Sequence, residues 1–355
     1  MKLLMYGVNK ETIMKEDVNK YRLFGEQKKI QMKDIRKIDG VEEIIVLTND
    51  FRNEYYLYVD ETIFSHGDFL RYIADKTDKN LQEIILETYS KFNEDVLRHL
   101  YEITCGYLSE PMGSFDILNS VEKAVNYASK LHTGGEILYK LFEEAIQLSY
   151  SFKLNEETQP LNMSEISKYI YLLKNKMSTL AKKDFLISGN AFEISYLTKL
   201  LLLADAQTVT ILQEDEKDSL KQVERLSTRL TDTEAAKVFA ATSKSLYYRL
   251  SKTDAVICDF SKIDLFNKKM VEEIAIMRQT KKIQYLIDTS KQPIKEMTKD
   301  NLDIHVIDPT INVSYNDEQL NNAIIVLEEE IQTRIEKFMK HFEELRMNKE
   351  QKITQ

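Results

Sequence analysis

Asp184-Phe185-Leu186-Ile187-Ser188-Gly189-Asn190-Ala191-Phe192-Glu193 decides the fold of the second half of this chain. A short apolar run ends in Ser188-Gly189-Asn190, and a helical spacing of apolar residues then continues from Phe192 to Leu203. Thr208 to Leu212 is a second apolar run, and Ala255 to Asp259, Gln284 to Asp288 and His305 to Ile307 are further short ones. Strands that alternate with helices make a parallel, doubly wound sheet over residues 180–310.

A sheet of that kind takes a dinucleotide at its first strand-to-helix turn. Three glycines there serve the tight turn, the approach of the pyrophosphate and the packing of the helix. The turn here keeps one, so Ser188, Gly189, Asn190 and Ala191 are the cofactor-binding candidates on position more than on composition. A Cβ at the second glycine position crowds a phosphate, and Glu193 near the helix start repels one while suiting the helix dipole. After the second strand, Gln213-Glu214-Asp215-Glu216 supplies carboxylates and no arginine for a 2′-phosphate.

Towards the N-terminus, Lys2 to Val8, Glu43 to Leu47 and Glu54 to Val59 read as strands, with mixed helical character over Asp17 to Lys29. The polar stretch Thr48-Asn49-Asp50-Phe51-Arg52-Asn53 is placed to protrude between two of them. Residues 61–158 read as wholly helical, broken near Ser65-His66-Gly67, Asp78-Lys79-Asn80, Gly106 to Gly113 and Thr133-Gly134-Gly135. Strands first and helices after predict an α+β domain. Within it, Leu97, Leu100, Tyr101 and Thr104 set His99 at the edge of an apolar stripe, where a histidine is more often structural than catalytic. Cys105 lies six residues further, on a different helical face, as a core cysteine does.

Met163 to Lys182 is a further helix, with Ser164 as its N-cap. Leu320, Ile324, Leu327, Ile331, Ile335, Phe338, Phe342 and Leu345 then recur at steps of three and four along a long amphipathic helix. Such a seam packs along its own chain or against a partner helix, as in a homodimer. Residues 347–355 are polar and expected to fray. The expected organisation is an α+β domain over 1–158, an α/β Rossmann-like domain over 159–312 and a long C-terminal α-helix over 313–355.

Composition narrows the function classes. A formal charge of −9 gives no general attraction for nucleic acid or anionic membranes, though a local basic patch is compatible with it. No apolar run approaches the 18 residues that suggest a spanning helix. Two cysteines and no signal-like N-terminus imply reduced thiols and a cytoplasmic protein. The weight of Lys, Asn, Ile and Tyr suggests an AT-rich, bacterial genome. No His/Cys/Asp cluster has metal-ligand spacing.

The opening Leu3-Leu4-Met5-Tyr6-Gly7-Val8-Asn9 with Thr12 resembles that of glutamyl-tRNA reductase, the enzyme that begins tetrapyrrole synthesis. Glu43 to Asp60, with Arg52 and Glu54 in place, resembles it too. So do His99-Leu100, Gly106, Ser109, Gly113 and Ile117-Leu118, and later Leu141-Phe142 with Ala145. The resemblance runs over about 340 residues as many weak matches in one order, and it implies a substrate domain, a nicotinamide domain and a long spinal helix. It also implies a nucleophilic cysteine before an Asn-Arg pair, which holds glutamate as a thioester until NADPH releases the aldehyde. Thr12, Arg52, His99, Ser109 and Asp116 are the substrate-binding positions that it suggests.

The departures are chemical. The cysteine's place falls on Asp50 and the asparagine's on Phe51. A carboxylate is a weaker nucleophile than a thiolate, would form an anhydride in place of a thioester, and repels a glutamate side chain. The family's glutamine falls on Asp116 and its glutamate on Ser114. Its basic run falls on Tyr150 to Asn155, with Lys153 the one positive charge left. The chain stops where the family's dimerisation domain would begin. Losses at the nucleophile, the cofactor loop and the basic run, on a kept scaffold, imply a pseudoenzyme of the haem or sirohaem pathway. It would hold a small ligand or a tetrapyrrole-pathway enzyme, with tRNA binding weakened. The other readings are a divergent NADPH-dependent reductase, and a haem-binding protein that uses His99 and Cys105.

Overall fold

In the computed structural model, residues 1–107, 109, 111–242, 245–259, 261, 273–274, 276–278, 282–292, 304–311 and 313–353 are described, with side chains as far as 345. Leu108 and Glu110 of the Gly106–Gly113 segment, and the last two residues of the tail, lie outside them. The chain divides into two compact units. Unit 1 is Met1–Lys153 with Leu320–Gln355, and unit 2 is Leu154–Gln319.

Unit 1 is built on a four-stranded sheet of β1 (Lys2–Asn9), β2 (Val41–Thr48), β3 (Arg52–Val59) and β4 (Tyr89–Phe92), in the order β2-β3-β1-β4. Each neighbouring pair is antiparallel. From its second residue β1 is buried throughout, as its unbroken apolar run requires of a strand covered on both faces. The helices that cover the sheet are α1 (Lys15–Tyr21), α2 (Gly25–Ile35), α3 (His66–Thr77), α4 (Leu81–Glu87), α5 (Glu94–Cys105), α6 (Asp116–Leu131) and α7 (Glu136–Leu154). β4 corrects the all-helical reading of 61–158. Four residues on a sheet edge, half-buried and exposed in turn, carry too little apolar periodicity to announce a strand.

Unit 2 holds α8 (Glu165–Met177), β5 (Asp184–Ile187), α9 (Ala191–Leu203), β6 (Thr208–Ile211), α10 (Glu216–Ser227) and α11 (Asp232–Ala235). β7 (Val238–Ala240), α12 (Leu246–Lys252), β8 (Ala255–Cys258), β9 (Gln284–Asp288) and β10 (Ile304–Ile307) follow. The six strands form one parallel sheet in the order β10-β9-β8-β5-β6-β7. The order reverses between β5 and β8, which is the switch point of a doubly wound fold. Val238-Phe239-Ala240, missed in the sequence, is a three-residue edge strand.

α13 (Asp317–Ile353) is the long helix, and the part from Leu320 belongs to unit 1. Ala323, Leu327, Ile331, Ile335, Phe338 and Phe342 are all buried within the chain, Phe342 meeting Tyr58 edge-on at 5.8 Å. The seam therefore packs along its own chain. Helical structure continues through Ile353, where fraying was expected.

Candidate functional site

Alternation along β3 sets Arg52, Glu54 and Tyr56 on one face, with Glu54 fully buried. Glu54 pairs across the sheet with Gly7 of β1, and Gly7 pairs with Tyr89 of β4. A Cβ on Gly7 would stand 2.7 Å from Glu54 Cγ, so the glycine is what makes room for the carboxylate. Over that gap the Tyr89 hydroxyl donates to Glu54 Oε1 at 2.6 Å. Arg52 Nη1 donates to the same oxygen at 2.8 Å, and His99 Nε2, from α5, lies 3.0 Å from it. The Tyr56 hydroxyl donates to Oε2 at 2.7 Å.

Burial alone would raise the Glu54 pKa. The charges of Arg52 and His99 and the bonds from His99 and Tyr89 outweigh burial and hold it well below the carboxylate range. Burial, then the adjacent negative charge, pushes both tyrosines up, so they stay protonated donors. Facing an ionised Glu54, His99 Nε2 is the donor of their hydrogen bond. With four donors on it the carboxylate is saturated, which suits it to fixing Arg52 and His99 and not to taking a proton. Arg52 Nε is buried without a partner among the described residues.

The remaining candidates sit around this centre. Asn9, opposite Arg52 in the sheet, accepts from the Glu11 and Thr12 amides, and this forms the turn that carries exposed Thr12. Asn49 accepts from the Phe51 and Arg52 amides, and its side chain reaches Ser120 at 3.4 Å. Ser120 in turn donates to the Asp116 carbonyl, so the β2–β3 turn lies against the first turn of α6. Asp116 itself is exposed and accepts from Ser114 at 2.9 Å. Ser109 is half-buried in the loop between α5 and α6, where its amide donates to the Gly106 carbonyl. Arg52 and His99 thus converge, whereas Thr12, Ser109 and Asp116 belong to three separate turns.

Asp50, at the position that the resemblance assigns to the nucleophile, is exposed and ion-paired with Arg22. Phe51 beside it is exposed under Lys10 and Lys15, whose Nζ atoms stand 5.8 and 5.0 Å from its ring. Cys105 is fully buried, and burial pushes its thiol up to about 12. A thiol so enclosed, and a His99 Nε2 already engaged by Glu54, give no support to a haem site on these two residues.

Two buried groups went unforeseen. Glu54 stood in the sequence beside Arg52 without a role, although a carboxylate inside an apolar strand is itself a signal. Lys153 was visible as one positive charge. It is buried, with Nζ 2.6 Å from the Gly113 carbonyl, 3.4 Å from that of Cys105 and 4.3 Å from the Phe115 ring centroid. Burial brings its pKa down to about 7. It fastens the Gly106–Gly113 loop, where Gly106 (φ +74°) has no space for a Cβ against the Ser114 backbone.

In unit 2, the turn after β5 tests whether a nicotinamide dinucleotide fits. Asn190 Oδ1 accepts from the Phe192 and Glu193 amides, and Glu193 Oε2 accepts from the Asn190 amide at 2.9 Å. This is a capping box, and it engages donors of the α9 N-terminus that a pyrophosphate would need. A Cβ on Gly189 would meet that same Glu193 oxygen at 2.5 Å. Gln213 Nε2 ties down the Gly189 carbonyl at 3.1 Å. An anionic cofactor would have to displace a carboxylate from its place, so these residues do not fit the group as they stand.

Among the described residues no group of acidic, histidine or cysteine side chains could hold a metal ion, and no helix is long and apolar enough to cross a membrane.

Residues 6–158 match the family model for the glutamyl-tRNAGlu reductase N-terminal domain. The glutamyl-tRNA reductase of Staphylococcus haemolyticus is 25% identical over 287 residues, which is 80% of this chain and 58% of that protein. The glutamyl-tRNA reductase of Exiguobacterium sibiricum is 27% identical over 218 residues, 59% of this chain and 47% of that protein. The chain thus spans about half of the length of curated relatives that it matches. The structure of glutamyl-tRNA reductase from Methanopyrus kandleri superposes with a TM-score of 0.53 at 19% identity, covering 98% of this chain and 82% of that one, and this shows the shared fold. Residues 6–158 of this chain are thus a domain of the glutamyl-tRNA reductase N-terminal type, and the chain as a whole shares the glutamyl-tRNA reductase fold.

Proposed function

We propose that this chain is a glutamyl-tRNA reductase-like protein of tetrapyrrole biosynthesis that does not make the thioester or the aldehyde. It acts as a binding or regulatory protein instead, holding a small ligand or a pathway enzyme. The observation that carries this is Asp50, an exposed carboxylate ion-paired to Arg22 where the family resemblance calls for a thiolate. The capping box of Asn190 and Glu193 supports it independently.

The test is direct. Purified protein is mixed with glutamyl-tRNA and NADPH, and the covalent adduct is sought by intact mass and the aldehyde by trapping. Neither is expected, and measurable turnover would sink the reading. The alternative, a divergent NADPH-dependent reductase, is favoured by the strand order of unit 2. It requires a cofactor that raises the melting temperature by mass action. Millimolar NADPH is expected to leave the melting temperature unchanged.

Among its described side chains, the buried face of α13 leaves little apolar surface for a dimer through that seam. A sedimentation mass of one chain is the expected result, and a mass of two would locate a dimer elsewhere.

A further inference from the structure

The face of β3 opposite Arg52 and Glu54 carries a second buried polar group. Alternation along the strand sets Asn53 on that face, with Tyr55 two residues further on. Asn53 is fully buried, opposite Val8 of β1 on one side and Thr48 of β2 on the other. Neither its Oδ1 nor its Nδ2 makes a hydrogen bond among the described residues. A buried amide is as a rule satisfied, because one left unpaired loses its bonds to water and gains none.

Asn53 lines a cavity of about 10 Å³, walled also by Tyr6, Tyr21, Tyr55, Phe69, Ile73 and Thr88. The hydroxyls on these walls already have uses for their protons. Thr88 Oγ1 donates to the Ile84 carbonyl at 2.6 Å, and the Tyr21 hydroxyl to Glu87 Oε2 at 2.5 Å. The Tyr55 hydroxyl donates to Gln31 Oε1 at 3.4 Å, and that of Tyr6 is engaged with His66 Nδ1. What the hydroxyl oxygens still offer is acceptor capacity, while the amide offers one acceptor and two donors. A guest that fits must therefore donate to an oxygen and also be able to accept from Nδ2. Among the described residues no charged side chain lines the cavity, so nothing there recognises an ion. The volume admits a single small molecule.

We propose that this cavity binds one internal water molecule, held by the Asn53 amide and shared with a wall hydroxyl. The water completes the back of the strand whose front carries Arg52 and Glu54. The site stands apart from the Asp50 turn and from the reading built on it.

The experiment is a high-resolution crystal structure of the full chain and of Asn53→Leu, with the melting temperature of each. One peak of water density is expected within about 3.2 Å of the Asn53 amide and of a wall hydroxyl. Asn53→Leu has a similar volume and no polar atom, so its cavity should be dry. Its melting temperature should stay close to that of the parent, since a satisfied amide and its water leave together. A rise of more than about 5 °C would mark an amide that had no partner, and would overturn the proposal. So would an empty cavity in the parent, or an Asn53 amide bonded only to protein groups. A peak that persists in Asn53→Leu, or density too large for one water, would overturn it as well. Should the variant not fold, the parent structure decides alone.

Discussion

Two carboxylates of this protein lie at the candidate sites of its two units, and they are held in opposite ways. Glu54 is sunk in the sheet of unit 1 with four donors upon it. Glu193 lies at a helix start in unit 2, half-buried, closing a capping box. The first is a charge that cannot leave without stranding Arg52 and His99. The second is a local cap with water close by. One site is filled structurally and the other only locally, so the two should respond very differently to substitution.

Glu54→Ala should have the largest effect. It leaves a guanidinium buried without its counter-charge, a loss of about 3–5 kcal/mol. Urea unfolding measures it, and a change below about 1 kcal/mol would show that the centre is far wetter than its burial implies. Because the folded Glu54 pKa is depressed, its contribution is present above the unfolded carboxylate range. It is lost as pH falls towards the folded value.

Lys153→Met comes next. Two carbonyls lose their buried donor, at about 1–3 kcal/mol near pH 9. The folded Lys153 pKa of about 7 lies below its ordinary value of 10.5, so the unfolded chain binds more protons between them. Stability from this group therefore rises with pH above 7. The slope of melting temperature against pH between 7 and 9 should flatten in the variant; an unchanged slope would mean that the amine is solvated.

The contrast with Glu54 is sharpened by Asn190→Ala and Glu193→Ala, each expected to cost about 1 kcal/mol as lost caps do. If Glu193→Ala costs as much as Glu54→Ala, the distinction between the two sites fails. Asp50→Ala should be smallest, under about 0.5 kcal/mol, because its pair with Arg22 is solvent-screened. A larger loss in thermal unfolding would give that pair a structural role.

The parts of the molecule that were legible are those with strong local grammar. The short apolar runs of β5, β6, β8 and β9, spaced by helices, specify a parallel sheet before any contact is known. Asn190 and Glu193, three apart before an apolar run, carry a local capping-box signal too, which the cofactor-loop expectation for Asn190 passed over. The polar centre was not legible. Gly7, Glu54 and Tyr89 meet only because three strands align in register, and no spacing along the chain contains that alignment. Tyr89-Ser90-Lys91-Phe92 has no pattern until β1 is beside it. Lys153 resembled a residual surface charge because the carbonyls that bury it come from a loop about 40 residues earlier.

The helix α13 has a consequence for how the chain is made. It covers unit 1, yet the whole of unit 2 intervenes between the two stretches of sequence that build that unit. On the ribosome, Tyr58 emerges long before Phe342, and the groove that α13 fills stays greasy and open through the synthesis of the entire second unit. The usual order, in which the N-terminal domain finishes first, is thereby reversed. Unit 2, continuous in sequence, can complete itself while unit 1 waits, and a nascent-chain chaperone that binds apolar surface would find its target in the older half.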